Sequence, residues 1–584
     1  MVTNPVPIDR INNARKKRHD AHDFSIASPD AMHQNNNEVI DYESQGYPVG
    51  IANFTKGLKH NEKGEVDSTA FNEFLKAIED ALSDSPDYKN AFGFFNSIST
   101  PTNGSKKREK WINPVSGLSY DSEGIDSFNK VIPPAPRIDS LECAAEIAEL
   151  YWMSLIRDIN FTDYDEPSEA PEVQEAINDL NSDRFKDYKF NNIGWTRDGK
   201  PISPKTLFRG TNIGDDVGPY MSQFMLRGND DYTLGNSEED GYVKYGTGTI
   251  DQRHVVAISE LDFMTDTRSW LDVQDGFDPE KRRDRLVDPE HNLFQKNPRF
   301  IRNLRDLATY VHFDALYQAY LTACIYMLNA KDENGKGLFK LNSSFPYNNE
   351  ASKQHGFGTY GEPHILALVC EVSSRALKAI WLQKWLVHRR LRPEAFGGLI
   401  HYHKTQASSY PIHNSILNSS VLEKIFRKNK KLNKEFNRKN HDNEIDGTYL
   451  LPQVFIEGSP LHPSYGAGHA TVAGACVTIL KAWFQDGPMP GKIVEASGSG
   501  RGLKEYKGND IEKITVHGEL NKLAANVAIG RNGAGVHYRS DYTASLLLGE
   551  QVAISILKEL KDYYLPETVE FKFIPFFKDN VETI

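Results

Sequence analysis

Apolar residues recur at three- and four-residue steps through much of this 584-residue chain, and that periodicity constrains the fold more than any other feature. Between Ser68 and Leu82, the residues Phe71, Phe74, Leu75, Ile78 and Leu82 fall on one helical stripe. The run from Leu141 to Ile159 is apolar nearly all round, with Ile147, Leu150, Tyr151, Met153 and Leu155, and predicts a buried helix. Arg299 to Leu328 reads as one long helix. Pro363 to Leu391 reads as another. A proline suits its first turn, and Pro393 stops it because the residue before a proline avoids the α region. Ala470 to Phe484, Glu519 to Ile529 and Asp541 to Leu560 are further helices. Strand-like runs are few; Val569 to Phe573 alternates like a short edge strand. The expectation is a mainly α fold of packed four-helix-bundle type, as two bundles.

Three regions are expected: a polar N-terminal arm over 1–60, a helical region over 61–360, and a C-terminal helical region over 361–584 that forms one compact unit with the preceding one. Hydrophobic content is 39%, net charge is −12 and the pI is near 5.9. An acidic balance argues against general nucleic-acid or membrane-surface binding. The basic run Arg15-Lys16-Lys17-Arg18 reads as a solvated face or an oligomer contact, and Arg427 to Arg438 as a basic surface excursion between helices. The four cysteines lack metal-ligand spacing and read as buried free thiols. Met1 to Arg10 has no apolar signal core, and no run is long and apolar enough to span a bilayer, which predicts a cytoplasmic or otherwise soluble protein, export by another route leaving no trace in the sequence. The loops Gly228-Asn229-Asp230-Asp231 and Asn236-Ser237-Glu238-Glu239-Asp240 lack EF-hand spacing and read as plain loops.

The chemistry centres on Pro463-Ser464-Tyr465-Gly466-Ala467-Gly468-His469, preceded by His462 and followed by a helical run. A glycine-rich turn into a helix N-terminus brings free backbone N–H groups and the positive dipole end to an anion. Lys384 and Arg392 lie eight residues apart, roughly 12 Å along a continuous helix. Arg531 follows an apolar helix. Guanidinium forks and an ammonium suit a tetrahedral oxyanion. His537 lies six residues after Arg531 and four before Asp541. One histidine can hold the ligand while the other handles protons. Asp541 suits two roles, fixing the His537 tautomer and capping the following helix as its N-cap. Asp306 and His312 read at least as well as polar residues capping a buried face as they do as supports of the site behind its ligand-binding residues.

In order, Lys384 to Arg392-Pro393, the Pro463 to His469 turn, and Arg531 through His537 to Asp541 resemble the vanadium-dependent haloperoxidase and type-2 phosphatidic acid phosphatase superfamily. His462-Pro463-Ser464-Tyr465 and Gly535-Val536-His537-Tyr538-Arg539-Ser540-Asp541 are most similar to its algal and cyanobacterial bromoperoxidase branch. The resemblance implies vanadate held by His537 as axial ligand, with Lys384, Arg392, Arg531 and the Gly468 N–H neutralising its oxygens. It implies His469 as the distal acid–base residue, Lys384 as an activating charge, His462 near the halide and Asp541 orienting His537. The partners implied are hydrogen peroxide, bromide or iodide, and an organic acceptor, in a homo-oligomer. Some relatives also bind calcium, for which the loop Asn348-Asn349-Glu350 is a candidate place, although it reads better as an ordinary polar turn. Ala467 departs from the pattern, which has serine there. The rival readings are an acid phosphatase with His537 as nucleophile and a non-catalytic scaffold that binds phosphate.

Overall fold

The computed structural model describes residues 33–584 apart from 83–89, 103–106, 120, 122, 125, 230–239, 279–292, 296, 349–351 and 564–568, together with residues 12, 15, 16 and 19. The helices that bear on the site are α1 (Ser68–Leu82), α2 (Leu141–Ile156), α3 (Leu304–Phe313), α4 (Gln318–Asn329), α5 (Glu362–Leu382), α6 (Pro393–Lys404), α7 (Val421–Glu435), α8 (Gly468–Trp483), α9 (Val516–Gly533) and α10 (Arg539–Tyr563). The sheets among the described residues are three antiparallel pairs, β1 (Tyr242–Tyr245) with β2 (Gly248–Asp251), β3 (Val494–Ala496) with β4 (Leu503–Glu505), and β5 (Lys572–Phe573) with β6 (Glu582–Thr583). The mainly α expectation therefore holds, with the C-terminal strand cut to two residues.

Helix α8 is the hub. Every residue from Ala470 to Trp483 is buried, and it packs against α5, α9 and α10. A helix apolar on all faces has to be enclosed by others, and small residues let them come close. A Cβ on Gly474 would sit 2.2 Å from the Leu546 carbonyl of α10. One apolar core extends from Tyr42 to Ile584, and a second joins Phe54, Phe71 and Phe74 to Trp385.

Three sequence expectations need correction. The stretch 299–328 is two helices, because Asn303 caps α3 through its side chain and Asp314 leaves the helix in an extended conformation. The stretch 363–391 stops being α-helical at Leu382. It widens into a π turn over Gln383–His388 and ends at Arg389 in the left-handed region with φ 42°. The basic run 427–438 is no excursion: most of it forms α7, with Lys428 ion-paired to the buried Asp262 and Arg438 buried. An amphipathic helix can carry many lysines while seating Ile425, Asn429 and Leu432 inward. The Arg15 run lies partly outside the described residues, as do Asn349, Glu350 and most of the two acidic loops.

Candidate active site

The π turn and its left-handed exit decide where the first two cations go. Lys384 sits inside the turn, and its Nζ donates to the carbonyls of Pro463 (2.9 Å) and Ser464 (3.2 Å). Arg392 is the N-cap residue of α6, not a continuation of α5. Its guanidinium donates to the carbonyls of His462 (2.8 Å) and Val536 (2.7 Å) and approaches His537 Nε2 (3.1 Å) and His462 Nδ1 (2.9 Å). The broken helix thus turns two residues that a straight helix would separate onto one wall. Arg531 lies in the last turn of α9, not after it, and donates to the Val311 carbonyl (3.1 Å). Gly535, at φ +88°, takes the left-handed conformation that turns the chain from α9 toward His537.

His537 is held from behind. Its Nδ1 lies 2.9 Å from Asp541 Oδ2, which also accepts from Ser464 Oγ (2.5 Å) and the Tyr538 N–H (3.0 Å). Asp541 occupies the first turn of α10 and reaches back to the residue preceding the helix. It caps α10 in the manner of a capping-box acid and not as the N-cap. Arg390 donates to Asp541 Oδ1 (3.0 Å), Ser540 Oγ (2.8 Å) and Glu146 Oε2 (3.1 Å), with its guanidinium 3.7 Å from the Tyr538 ring centroid. These contacts fix the tautomer with Nδ1–H toward the carboxylate and leave the Nε2 lone pair toward the pocket.

His469 lies in the first turn of α8, and its Nε2 lies 2.9 Å from Asp314 Oδ1. Ala467 is the N-cap of α8 and brings no side-chain cap; its N–H donates to Ser545 Oγ (2.8 Å). A Cβ on Gly468 would meet the Trp381 ring at 3.2 Å, so glycine keeps the helix start open beside that ring. Trp381 also lies 5.1 Å from the His462 ring, centroid to centroid.

Lys384, Arg392 and Arg531 are 0%, 1% and 6% exposed, and among the described residues none of them is ion-paired with a carboxylate. Burial, then Arg392, holds the Lys384 ammonium well below its ordinary pKa. Burial, then Arg531, pushes Arg392 down to about 9. Burial, with Arg392, Lys384 and Arg531 behind it, keeps His537 well below the usual imidazole value and therefore neutral. His462 is depressed by burial, Lys384 and Arg392, and His469 by burial against the opposing pull of Asp314. Arg531 Nε is buried with no hydrogen-bond partner among the described residues. Three buried cations without a carboxylate in direct contact, with an unused donor among them, fit an oxyanion, and the neutral Nε2 of His537 fits a ligand to it.

All nine residues singled out in the sequence fall on the segments that carry this cluster. Sequence reasoning missed Asp314, which it placed mid-helix, and assigned nothing to Arg390, Glu146 or Trp381. Asp306 pairs with Arg299 and Arg302, and His312 pairs with Glu457, whose charge reaches Arg531. Among the described residues no group of three or more His, Cys, Asp or Glu side chains could hold a metal ion, and Asn348 donates to the Asn342 carbonyl. No helix of the described residues is long and apolar enough to cross a membrane.

The chain resembles known proteins over nearly its whole length. Residues 425–565 match the family model of the VCPO second helical-bundle domain. The chain is 39% identical to the vanadium-dependent bromoperoxidase of Corallina officinalis over 603 residues, covering 95% of this chain and 96% of that one. It is 31% identical to the vanadium-dependent bromoperoxidase of Ascophyllum nodosum, covering 91% and 88%. Its fold superimposes with a TM-score of 0.79 on the homohexameric structure of the second vanadate-dependent bromoperoxidase from Ascophyllum nodosum, at 27% identity and covering 100% of this chain and 93% of that one. With relatives this similar over nearly its whole length, the chain belongs to the vanadium-dependent bromoperoxidase family.

Proposed function

We propose that this protein is a vanadate-dependent haloperoxidase, using hydrogen peroxide to oxidise bromide or iodide to a hypohalous acid equivalent that halogenates organic acceptors. The observation that carries the reading is the trio of buried cations without carboxylate partners around a neutral imidazole. Lys384, Arg392, Arg531 and the Gly468 N–H would hold the vanadate oxygens, and His537 Nε2 would complete its coordination. When bound, vanadate supplies Lewis acidity that makes a peroxide oxygen electrophilic toward halide.

The chain's own residues do the rest. An oxyanion beside Lys384 would restore its ammonium form, which burial alone disfavours. With Nε2–H of His469 given to Asp314, the proton-accepting atom is Nδ1, where a peroxide proton would be taken. His462, against Trp381 and Arg392, would border the halide. Asp541 would keep the His537 lone pair aimed inward.

The 61–360 and 361–584 regions would act as one compact unit, in keeping with a single core that runs through both. A homo-oligomer is proposed from the homohexameric relative. Calcium, if a ligand of this protein, would be sought at Asn348-Asn349-Glu350. The deciding experiment assays peroxide-dependent bromination of a phenol dye and phosphate-ester hydrolysis, each with and without vanadate. Bromination that requires vanadate and is inhibited by phosphate is expected. Hydrolysis without bromination would establish the phosphatase reading, and neither activity the scaffold reading.

A further inference from the structure

A cavity of about 520 Å3 lies against the segments that form the cationic pocket, and the charge of Glu457 on its wall reaches Arg531. Three stretches serve both. His312 and Phe313 line the cavity, and Asp314 next to them holds His469. Val454 to Glu457 line it, and His462 follows on the same strand of chain. Ala534 and Val536, just before His537, share an apolar cluster with Val454 and Phe455 of the cavity wall.

Its lining differs in kind from the pocket's. Phe294 and Phe313 meet edge to face at 5.2 Å, and His312 stacks on Phe455 at 3.8 Å with the rings 15° apart. The polar groups are few: the His312–Glu457 pair (3.0 Å) and Glu109. Two carboxylates and aromatic walls repel halide, peroxide-derived oxyanions and phosphate alike. A volume of this size with apolar walls and one hydrogen-bonding pair suits a small neutral aromatic molecule bearing a hydroxyl. Phe313 is 60% exposed, so one wall stands open to entry.

We propose that this cavity, organised by His312, Glu457, Phe294, Phe313 and Phe455, is a binding site for a neutral phenol- or naphthol-like acceptor of the oxidised halogen. The inference rests on the haloperoxidase reading. Bromine leaves the oxygen of hypobromous acid as an electrophile and bonds to a ring carbon. That carbon's proton departs and joins the released hydroxide as water, so no further oxidant is needed. Holding the acceptor beside the source of oxidant raises its share of the halogen over polar competitors in solution.

The test has two readouts. Binding of 2-naphthol to the vanadate-free protein is followed by its fluorescence, for wild type, Ile258→Trp, which fills the cavity, and Phe313→Ala, whose exposed ring can be removed without opening the core. Separately, brominated 2-naphthol is measured against brominated 4-hydroxybenzenesulfonate from an equimolar mixture, with reagent hypobromous acid as reference. This ratio does not depend on how fast halide is oxidised. Saturable binding weakened about tenfold by either substitution, and an enzyme ratio above the reagent ratio that falls toward it in Ile258→Trp, are expected. Binding that is absent or indifferent to both variants would overturn the site. So would an enzyme ratio equal to the reagent's, or a change of oligomeric state in Phe313→Ala without naphthol binding, which would mean that a second copy of the chain covers the cavity. Loss of all bromination with naphthol binding intact would fault the haloperoxidase reading instead.

Discussion

Two groups of arginines are buried equally deeply in this protein and differ in whether a carboxylate touches them. Where α2 ends and α3 begins, Arg157 and Arg305 share Asp262 at 3.1 and 2.9 Å, Arg305 clamps Asp158 at 2.6 and 2.7 Å, and Lys428 joins Asp262 at 2.6 Å. There, against the downward push of burial, Asp158 and Asp262 hold Arg305 above its ordinary pKa, while burial keeps Arg157 and Lys428 below theirs despite Asp262. Around His537, Arg392 has carbonyls and imidazoles for partners and falls to about 9 under burial and the neighbouring Arg531. The first group is a finished structural network. The second is a charge imbalance that the protein holds open for something from outside.

The comparison is tested most severely by removing the central carboxylate of the matched network. Asp262→Asn leaves Arg157, Arg305 and Lys428 sharing an uncharged amide, and should cost about 3–5 kcal/mol of stability, read by urea unfolding. A loss below about 1 kcal/mol would show that the network is not held by matched charge. The opposite result is expected in the pocket. Arg392→Met should lower vanadate affinity about 10- to 150-fold, the equivalent of the 1.5–3 kcal/mol of a charge-assisted hydrogen bond. The vanadate-free protein should lose less than about 1 kcal/mol, because one of several mutually repelling cations is gone. If Arg392→Met unfolds the vanadate-free chain as Asp262→Asn does, the two clusters do not differ as described.

This contrast was only half legible in the sequence. The order and spacing of Lys384, Arg392, Gly468, His469, Arg531, His537 and Asp541 pointed to an oxyanion site, since the residue types state the chemistry. What the sequence could not say is which buried arginines would be matched. Arg390 stands two residues before Arg392 and shares its burial, yet Glu146 from α2 and Asp541 neutralise it. That pairing depends on a carboxylate hundreds of residues away. The helices around α8 were readable because their apolar periodicity is local. The break at Asp314 and the π turn at 383–388 were not, because tertiary contacts made elsewhere select them over continued helix. Both breaks fall at the site, where local preference gives way to function.

Ligand should erase the difference between the clusters. Vanadate at 100 times its dissociation constant should stabilise the wild-type protein by about 2.7 kcal/mol, seen as a higher melting temperature, and His537→Ala should abolish the shift. A melting temperature indifferent to vanadate would sink the oxyanion assignment. Acid should act on the same pocket. Because the folded pKa values of His537 and His462 lie below the ordinary imidazole value near 6.5, the unfolded chain takes up protons first. Their contribution to the vanadate-free protein is complete above about pH 6.5 and is lost as the pH falls below it. Replacing His462 with glutamine should flatten stability against pH over that range; an unchanged slope would contradict the neutral, buried imidazole.

The smallest expected effect concerns Ala467, the N-cap of α8, where a methyl stands in place of serine's hydroxymethyl. Serine there has two uses for its oxygen. As the N-cap of α8 it can accept a backbone N–H of the first turn, which is worth about 1 kcal/mol to the fold. Its proton then remains free to donate to a bound oxyanion, worth about 1.5–3 kcal/mol for a charge-assisted bond. The two uses separate experimentally, because the cap raises the stability of the vanadate-free protein while the second bond raises vanadate affinity, by about tenfold at the lower figure. Ala467→Ser should therefore gain in both, and halide oxidation should extend toward the harder halides. A gain in stability alone would mean that the oxygen is consumed by the helix end, and that the alanine does not loosen the pocket's hold on its anion.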